Sequence, residues 1–154
     1  MSHDTAHKEA ERVKPKGDYA GDVAPEEAWR LLSEDSTAVL IDVRTQPEWV
    51  LVGGPDLSAI GKETVFVSWQ MFPAMNENPK FAAELATRNV TPDQTLLFIC
   101  RSGNRSANAA EAMTSRGYSR CYNVLEGFEG ALDNSNHRSS LGGWKPRGLP
   151  WIQG

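Results

Sequence analysis

Residues 95–106 read TLLFICRSGNRS, and this stretch decides the predicted fold. Its first six residues are apolar throughout, which predicts a β-strand buried on both faces. Residues 104–116 are rich in Ala and predict a helix that Gly117 ends. A buried strand, a short loop and a helix in this order are typical of a parallel α/β sheet.

The same alternation continues on both sides of this stretch. Further apolar strands are predicted at residues 37–43 (TAVLIDV), 65–69 (VFVSW) and 120–125 (RCYNVL). Helices are predicted to begin within residues 22–29 (DVAPEEAW) and to span residues 46–50 and 78–89. The sequence therefore predicts a parallel α/β sheet with helices on both faces.

Length and composition favour one globular domain. The chain has 154 residues, of which 40% are hydrophobic and 23% charged. We expect residues 1–18, which are polar and charge-mixed, to form a flexible tail, and residues 19–154 to form the domain. Residues 133–143 (DNSNHRSSLGG) predict a polar surface loop.

The net charge of −4 argues against nucleic-acid binding through global charge. No apolar run reaches the ~18 residues of a membrane span, and the first twenty residues lack a signal-peptide core. We therefore expect a cytoplasmic protein with no membrane partner. The two cysteines do not suggest a disulfide framework in that compartment, and no His and Cys spacing suggests a metal site.

Cys100 is the last residue of the predicted strand, and a short loop connects it to the N-terminus of the predicted helix. Unpaired backbone N–H groups, the positive end of the helix dipole, and the charges of Arg101 and Arg105 all favour a thiolate there. Arginines are unfavourable at a helix N-terminus, so two of them in this loop indicate an anion site. The alternative is a buried cysteine that fills a strand end, with the two arginines merely solvated.

Two charged residues end a neighbouring strand at the same edge of the sheet. Asp42 and Arg44 are interpreted as supporting groups that fix the cysteine loop, with Arg44 as an anion contact. A structural ion pair is the alternative at equal weight. Cys121 begins a strand whereas Cys100 ends one, which separates parallel neighbours by ~15 Å and excludes a disulfide, so Cys121 is predicted to be a core residue.

The loop CRSGNRS resembles the active-site loop of rhodanese-domain sulfurtransferases. Three further segments resemble that family in the same order: residues 40–49 (LIDVRTQPEW), 122–128 (YNVLEGF) and 143–150 (GWKPRGLP). The resemblance covers residues 19–152 and implies a single rhodanese-like domain with a five-stranded, mostly parallel sheet. One departure is that the family's Gly-His-Ile segment is replaced by a longer loop at residues 52–63, which bears on substrate access.

The resemblance implies that Cys100 takes a sulfane sulfur from a small anionic donor such as thiosulfate and passes it to cyanide or a thiol, without a cofactor or metal. Backbone N–H groups of residues 101–105 would cradle the persulfide, and Arg101 and Arg105 would hold the donor anion. The remaining members of the persulfide-binding loop would shape it: Ser102, Gly103, Asn104 and Ser106.

Two other functions were weighed against this one. Cysteine phosphatases carry Cys-x5-Arg, whereas here Arg105 gives Cys-x4-Arg, a loop one residue short for a tetrahedral phosphate. The other alternative is a persulfide relay or regulatory binding module with a dedicated protein partner and little activity on thiosulfate. The intact cysteine loop argues against a binding module that has lost the catalytic cysteine.

Overall fold

The computed structural model of the chain describes residues 17–138 and 142–153. Within these ranges the strands are β1 (Gly21–Val23), β2 (Val39–Asp42), β3 (Gly54–Pro55), β4 (Val65–Phe66), β5 (Gln70–Met71), β6 (Asn76–Glu77), β7 (Leu96–Ile99), β8 (Cys121–Val124) and β9 (Trp151–Ile152). The helices are α1 (Pro25–Glu34), α2 (Gln46–Val52), α3 (Phe81–Thr87) and α4 (Asn104–Ser115), and a 3-10 turn spans Ser58–Ile60.

Five parallel strands form the central sheet in the order β1, β8, β7, β2, β4. The central strand β7 pairs on both sides, so that Leu96 lies opposite Val39 of β2 and Cys121 of β8. Two small antiparallel pairs, β3 with β9 and β5 with β6, lie outside this sheet. The predicted fold class, with its five-stranded parallel sheet, is therefore confirmed.

The apolar strands are buried on both faces because helices cover both. Leu97 and Ile99 of β7 pack in one core cluster with Leu31 of α1 and with Trp144. The alternate residues of β7 pack in a second cluster with α3 and α4, which contribute Phe81, Leu85, Ala109, Ala110 and Met113. A continuous apolar run, rather than an alternating one, is what such a two-sided position requires.

One predicted element is placed differently in the structure. Residues 22–23 were predicted to belong to a helix start, but they complete the edge strand β1, and α1 begins at Pro25. Pro25 and the following glutamates do occupy the first helical turn, as predicted. The strand is fixed by pairing with β8, in which Asp22 lies opposite Asn123, about 100 residues later in the chain. A three-residue strand that depends on such a distant partner shows no recognisable strand pattern in its own sequence.

Residues 1–16 of the predicted tail, residues 139–141 of the predicted surface loop, and residue 154 lie outside the described ranges. The boundary between tail and domain stays a prediction. No helix within the described residues is long and apolar enough to cross a membrane.

Candidate active site

Cys100 follows β7 directly, at the carboxyl edge of the central sheet, and α4 begins four residues later. Ligands of open α/β sheets bind at this edge. The side chain is only 1% exposed, but it lines a pocket of about 350 Å³. The other lining residues are Glu48, Gln70, Met75, Arg101, Ser102, Asn104 and Arg105. The sulfur therefore borders a pocket lined mostly by polar residues, within reach of a small molecule.

Two hydrogen-bonding groups lie within reach of the sulfur. The Gly103 N–H donates to Cys100 Sγ at 3.1 Å, and the Ser106 hydroxyl oxygen lies 3.2 Å from the same atom. Gly103 can turn its N–H inward because its φ of +116° is a conformation that residues with a side chain rarely adopt. Donors aimed at a sulfur favour its anionic form.

The turn at residues 126–129 holds the cysteine loop from behind. The N–H groups of Phe128 and Glu129 donate to the carbonyls of Cys100 and Arg101, at 2.8 and 3.0 Å. Because a trans peptide unit points its N–H opposite to its carbonyl, the next two N–H groups of the loop point away from this turn. Gly127 is required here, since a Cβ would lie 2.5 Å from the Cys100 carbonyl oxygen.

Arg105 is held by a carboxylate that the sequence did not reveal. Its two terminal nitrogens donate to the Glu48 carboxylate at 2.7 and 2.9 Å. Glu48 belongs to the capping box of α2, in which the Thr45 N–H and hydroxyl also donate to it. Burial alone would raise the pKa of Glu48. The charge of Arg105 and the hydrogen bonds from Arg105 and Thr45 instead lower this pKa to about 2. The ion pair fixes the Arg105 guanidinium at the pocket wall.

Arg101 differs from Arg105 in having no such partner. Its side chain is exposed and lines the same pocket, and it forms no side-chain hydrogen bond or ion pair within the residues that the structure describes. A guanidinium presents several donors in a planar fork that suits oxyanions. Arg101 is therefore the cation of the loop that is available to an anionic substrate.

Asp42 and Arg44 form a fully buried ion pair, with both side chains 0% exposed. Arg44 donates to Asp42 at 2.8 Å and to the Gly53 carbonyl at 2.7 Å, and its guanidinium lies 4.3 Å from the centre of the Phe128 ring. Neither residue lines the pocket with Cys100. The geometry favours the structural ion pair over the anion contact for Arg44. The pair ties the end of β2 to the turn behind the cysteine loop.

The predicted loop residue Ser106 connects the sulfur to further polar residues that the sequence analysis missed. Ser106 hydrogen-bonds the side-chain oxygen of Asn123, whose Nδ2 donates to Asp22 at 3.0 Å. The Tyr19 hydroxyl donates to the same Asp22 oxygen at 2.6 Å. Asp22, Asn123 and Ser106 come from β1, β8 and α4, and Tyr19 precedes β1, so only the sheet order brings them together.

The longer loop at residues 52–63 lies away from the sulfur. Its strand β3 pairs with β9 near the chain end, and Leu57 is buried under α1 in the core cluster. None of its residues lines the pocket that holds Cys100. Cys121 is fully buried in the opposite core cluster, which confirms its prediction as a core residue.

Several solved structures resemble the chain, including one from M. tuberculosis and one from Wolinella succinogenes. The crystal structure of Rv0390 from M. tuberculosis is 50% identical with a TM-score of 0.81, over 89% of this chain and 100% of that chain. The solution structure of the polysulfide-sulfur transferase homodimer from Wolinella succinogenes is 23% identical with a TM-score of 0.57, over 86% of this chain and 77% of that chain. At that identity the second likeness concerns the fold alone.

Similar sequences include bacterial and plant proteins. The uncharacterized protein RC0915 of Rickettsia conorii is 39% identical over 124 residues, which cover 80% of this chain and 90% of that protein. The chloroplastic rhodanese-like domain-containing protein 4 of Arabidopsis thaliana is 27% identical over 127 residues, or 82% of this chain but 24% of that protein.

The fold, the cysteine loop and these likenesses define a rhodanese-like domain, the class of domain found in sulfurtransferases. More specifically, residues 20–154 match the family model of the STR4 middle domain, and the chain belongs to that family.

Proposed function

We propose that this chain is a sulfurtransferase in which Cys100 carries the transferred sulfur as a persulfide. The observation that carries the proposal is the Gly103 N–H aimed at Cys100 Sγ, in a pocket also lined by Arg101, whose side chain has no ion-pair partner among the described residues. A thiolate needs hydrogen-bond donors, and a persulfide, which is also an anion, needs them one atom further out. The Gly103 N–H supplies the first, and in this proposal the N–H groups of Arg101 and Ser102, which point away from the turn behind the loop, supply the second.

In the first half-reaction the Cys100 thiolate attacks the outer sulfur of thiosulfate. The new S–S bond forms as the S–S bond of thiosulfate breaks, and sulfite leaves with the electron pair. The charge of the donor stays on the sulfite oxygens, where the Arg101 guanidinium can bind them. Arg105 is already held by Glu48, so its role is to give the pocket wall a fixed positive charge.

In the second half-reaction an acceptor removes the sulfur. Cyanide or a thiolate attacks the outer sulfur of the persulfide, the S–S bond breaks, and Cys100 leaves as the thiolate with which the cycle began. The pocket of about 350 Å³ admits a nucleophile of that size beside Cys100. No cofactor or metal takes part, and cytoplasmic location remains a prediction.

A protein acceptor is the second candidate, and one observation favours it. Apolar side chains are unusually exposed beside the pocket: Leu51 at 72%, Phe72 at 61% and Met71 at 49%. They line a second depression next to Glu48 and its capping residue Thr45. Clustered exposed apolar side chains are typical of protein-binding surfaces. A partner that presents a cysteine thiol is the acceptor chemistry that this arrangement suits.

Steady-state kinetics test the proposal. Thiocyanate formation is measured while thiosulfate and cyanide are varied together, and a persulfide intermediate requires parallel double-reciprocal lines. Cys100→Ser should abolish the reaction, whereas Cys121→Ser, a matched control in the core, should keep it. Intersecting lines, or activity in Cys100→Ser, would refute a persulfide on Cys100. Faster transfer to protein thiols than to cyanide would favour the relay.

A further inference from the structure

A buried line of hydrogen bonds connects the Cys100 sulfur to the edge strand β1. Ser106 Oγ lies 3.2 Å from Sγ and hydrogen-bonds Asn123 Oδ1, and Asn123 Nδ2 donates to Asp22 at 3.0 Å. None of these four side chains is more than 3% exposed. Buried polar groups keep their hydrogen-bond partners, so each hydrogen in the line has to be accounted for.

Asp22 determines which way the Asn123 amide faces. A carboxylate only accepts hydrogen bonds, so the amide nitrogen must face Asp22 and the amide oxygen must face Ser106. Ser106 has a single hydroxyl hydrogen but two neighbours that can take it, Asn123 Oδ1 and Cys100 Sγ. When the hydrogen points to Asn123, the hydroxyl oxygen offers the sulfur a lone pair, which suits a thiol and opposes a thiolate.

We propose that Asn123, oriented by Asp22, is a positioning residue that competes with the Cys100 sulfur for the Ser106 hydrogen. While Cys100 is a thiol, the hydrogen lies on the Asn123 side and the S–H donates to Ser106. When the sulfur becomes anionic, the O–H bond rotates toward it and Asn123 Oδ1 loses its donor. The competition therefore decides whether the Ser106 hydroxyl donates to the Cys100 sulfur or to Asn123 Oδ1. The inference deepens the proposed function, on which it rests only for the identity of the reaction.

Charged groups of both signs surround the Cys100 sulfur. Arg101 and Arg105 belong to the loop and α4, and they favour the anion. Opposing carboxylates face the same region from α2, β2 and β1, respectively Glu48, Asp42 and Asp22. All of these charges stay in place when Asn123 is substituted, so the change at the sulfur that depends on Ser106 reports the hydroxyl competition.

The test is the pH dependence of Cys100 alkylation by iodoacetamide, followed by mass spectrometry on the full-length protein. Asn123→Ala frees the Ser106 hydrogen for the sulfur, so the pH of half-maximal alkylation rate should fall by about half to one pH unit. Asn108→Ala is the matched control, because Asn108 is exposed on α4, lines the same pocket as Asn123, and forms no side-chain hydrogen bond within the described residues. It should leave the midpoint unchanged. In a Ser106→Ala background the Asn123→Ala shift should disappear.

If Asn123→Ala does not fold, the pH midpoint of Cys100 alkylation is measured in Asp22→Asn. An amide at position 22 lets the Asn123 amide turn, so the midpoint should again fall, and the part due to the hydroxyl should be lost with Ser106→Ala. A midpoint equal to that of the wild type in Asn123→Ala would overturn the proposal, and so would a shift, in either variant, that is equally large with Ser106 and with Ser106→Ala. Alkylation needs no sulfur donor, so this result stands apart from success or failure of sulfur transfer.

Discussion

Replacing Glu48 by Gln tests the ion pair that fixes Arg105 at the pocket wall. Both side chains are mostly buried, with 18% of Glu48 and 16% of Arg105 exposed. The substitution leaves the guanidinium without its countercharge, which costs about 2–3 kcal/mol at pH 7 for a pair that is not fully buried. The displacement of the Glu48 pKa from 4.5 to about 2 gives a similar value of about 3 kcal/mol.

The contribution of Glu48 to the free energy of unfolding depends on pH. Because the folded-state pKa of Glu48 is lower than the unfolded one, its stabilisation is complete above about pH 5 and is lost as the pH falls toward 2. About 2 kcal/mol of it should be lost between pH 6 and pH 3. Urea unfolding of the wild type and Glu48→Gln across this range should therefore show curves that converge by about that amount.

The exposed Glu63 supplies a matched control. Glu63→Gln should lie within about 0.5 kcal/mol of the wild type at every pH and should keep the acid sensitivity of the wild type. If Glu48→Gln runs parallel to the wild type from pH 6 to pH 3, the ion pair does not hold the carboxylate ionised, and the reasoning is refuted.

Three further predictions concern the loop and the second cysteine. Gly127→Ala should destabilise the protein by about 2–3 kcal/mol in urea unfolding, because the Cβ would meet the Cys100 carbonyl and the φ of +62° disfavours a side chain. Arg101→Ala should raise KM for thiosulfate by about tenfold with a smaller effect on kcat, and an unchanged KM would contradict its role as the anion contact. Burial raises the pKa of Cys121 to about 11, so native protein at pH 8 should take up one iodoacetamide, on Cys100; two would contradict it.

The sequence predicted the central part of the fold because its signals there are local. The apolar residues of β7 and β2 require burial on both faces, and the helix after Cys100 begins where the loop pattern placed it, at Asn104. The edge strand β1 carries no such signal. It has three residues with an aspartate in the middle, and its pairing with β8 depends on the order of strands in the sheet.

The candidate site divides in the same way. Cys100 and its loop are contiguous in sequence, and the pattern placed them at a strand end before a helix. Glu48 and Arg105 are 57 residues apart, and Asp22 and Asn123 are 101 apart, so their contacts appear only when the strands are assembled. For Arg44 the sequence predicted a charged residue at the correct edge of the sheet. It did not predict that the side chain points into the core rather than into the pocket.

The central claim is that Cys100 carries the sulfur. The most direct measurement is the intact mass of the protein after incubation with thiosulfate and removal of excess donor. The wild type and Cys121→Ser should each gain the mass of one sulfur atom and lose it on addition of cyanide, while Cys100→Ser should gain nothing. A wild-type protein that takes no sulfur from thiosulfate, from mercaptopyruvate or from a protein persulfide, or a Cys100→Ser variant that still takes one, would contradict the account.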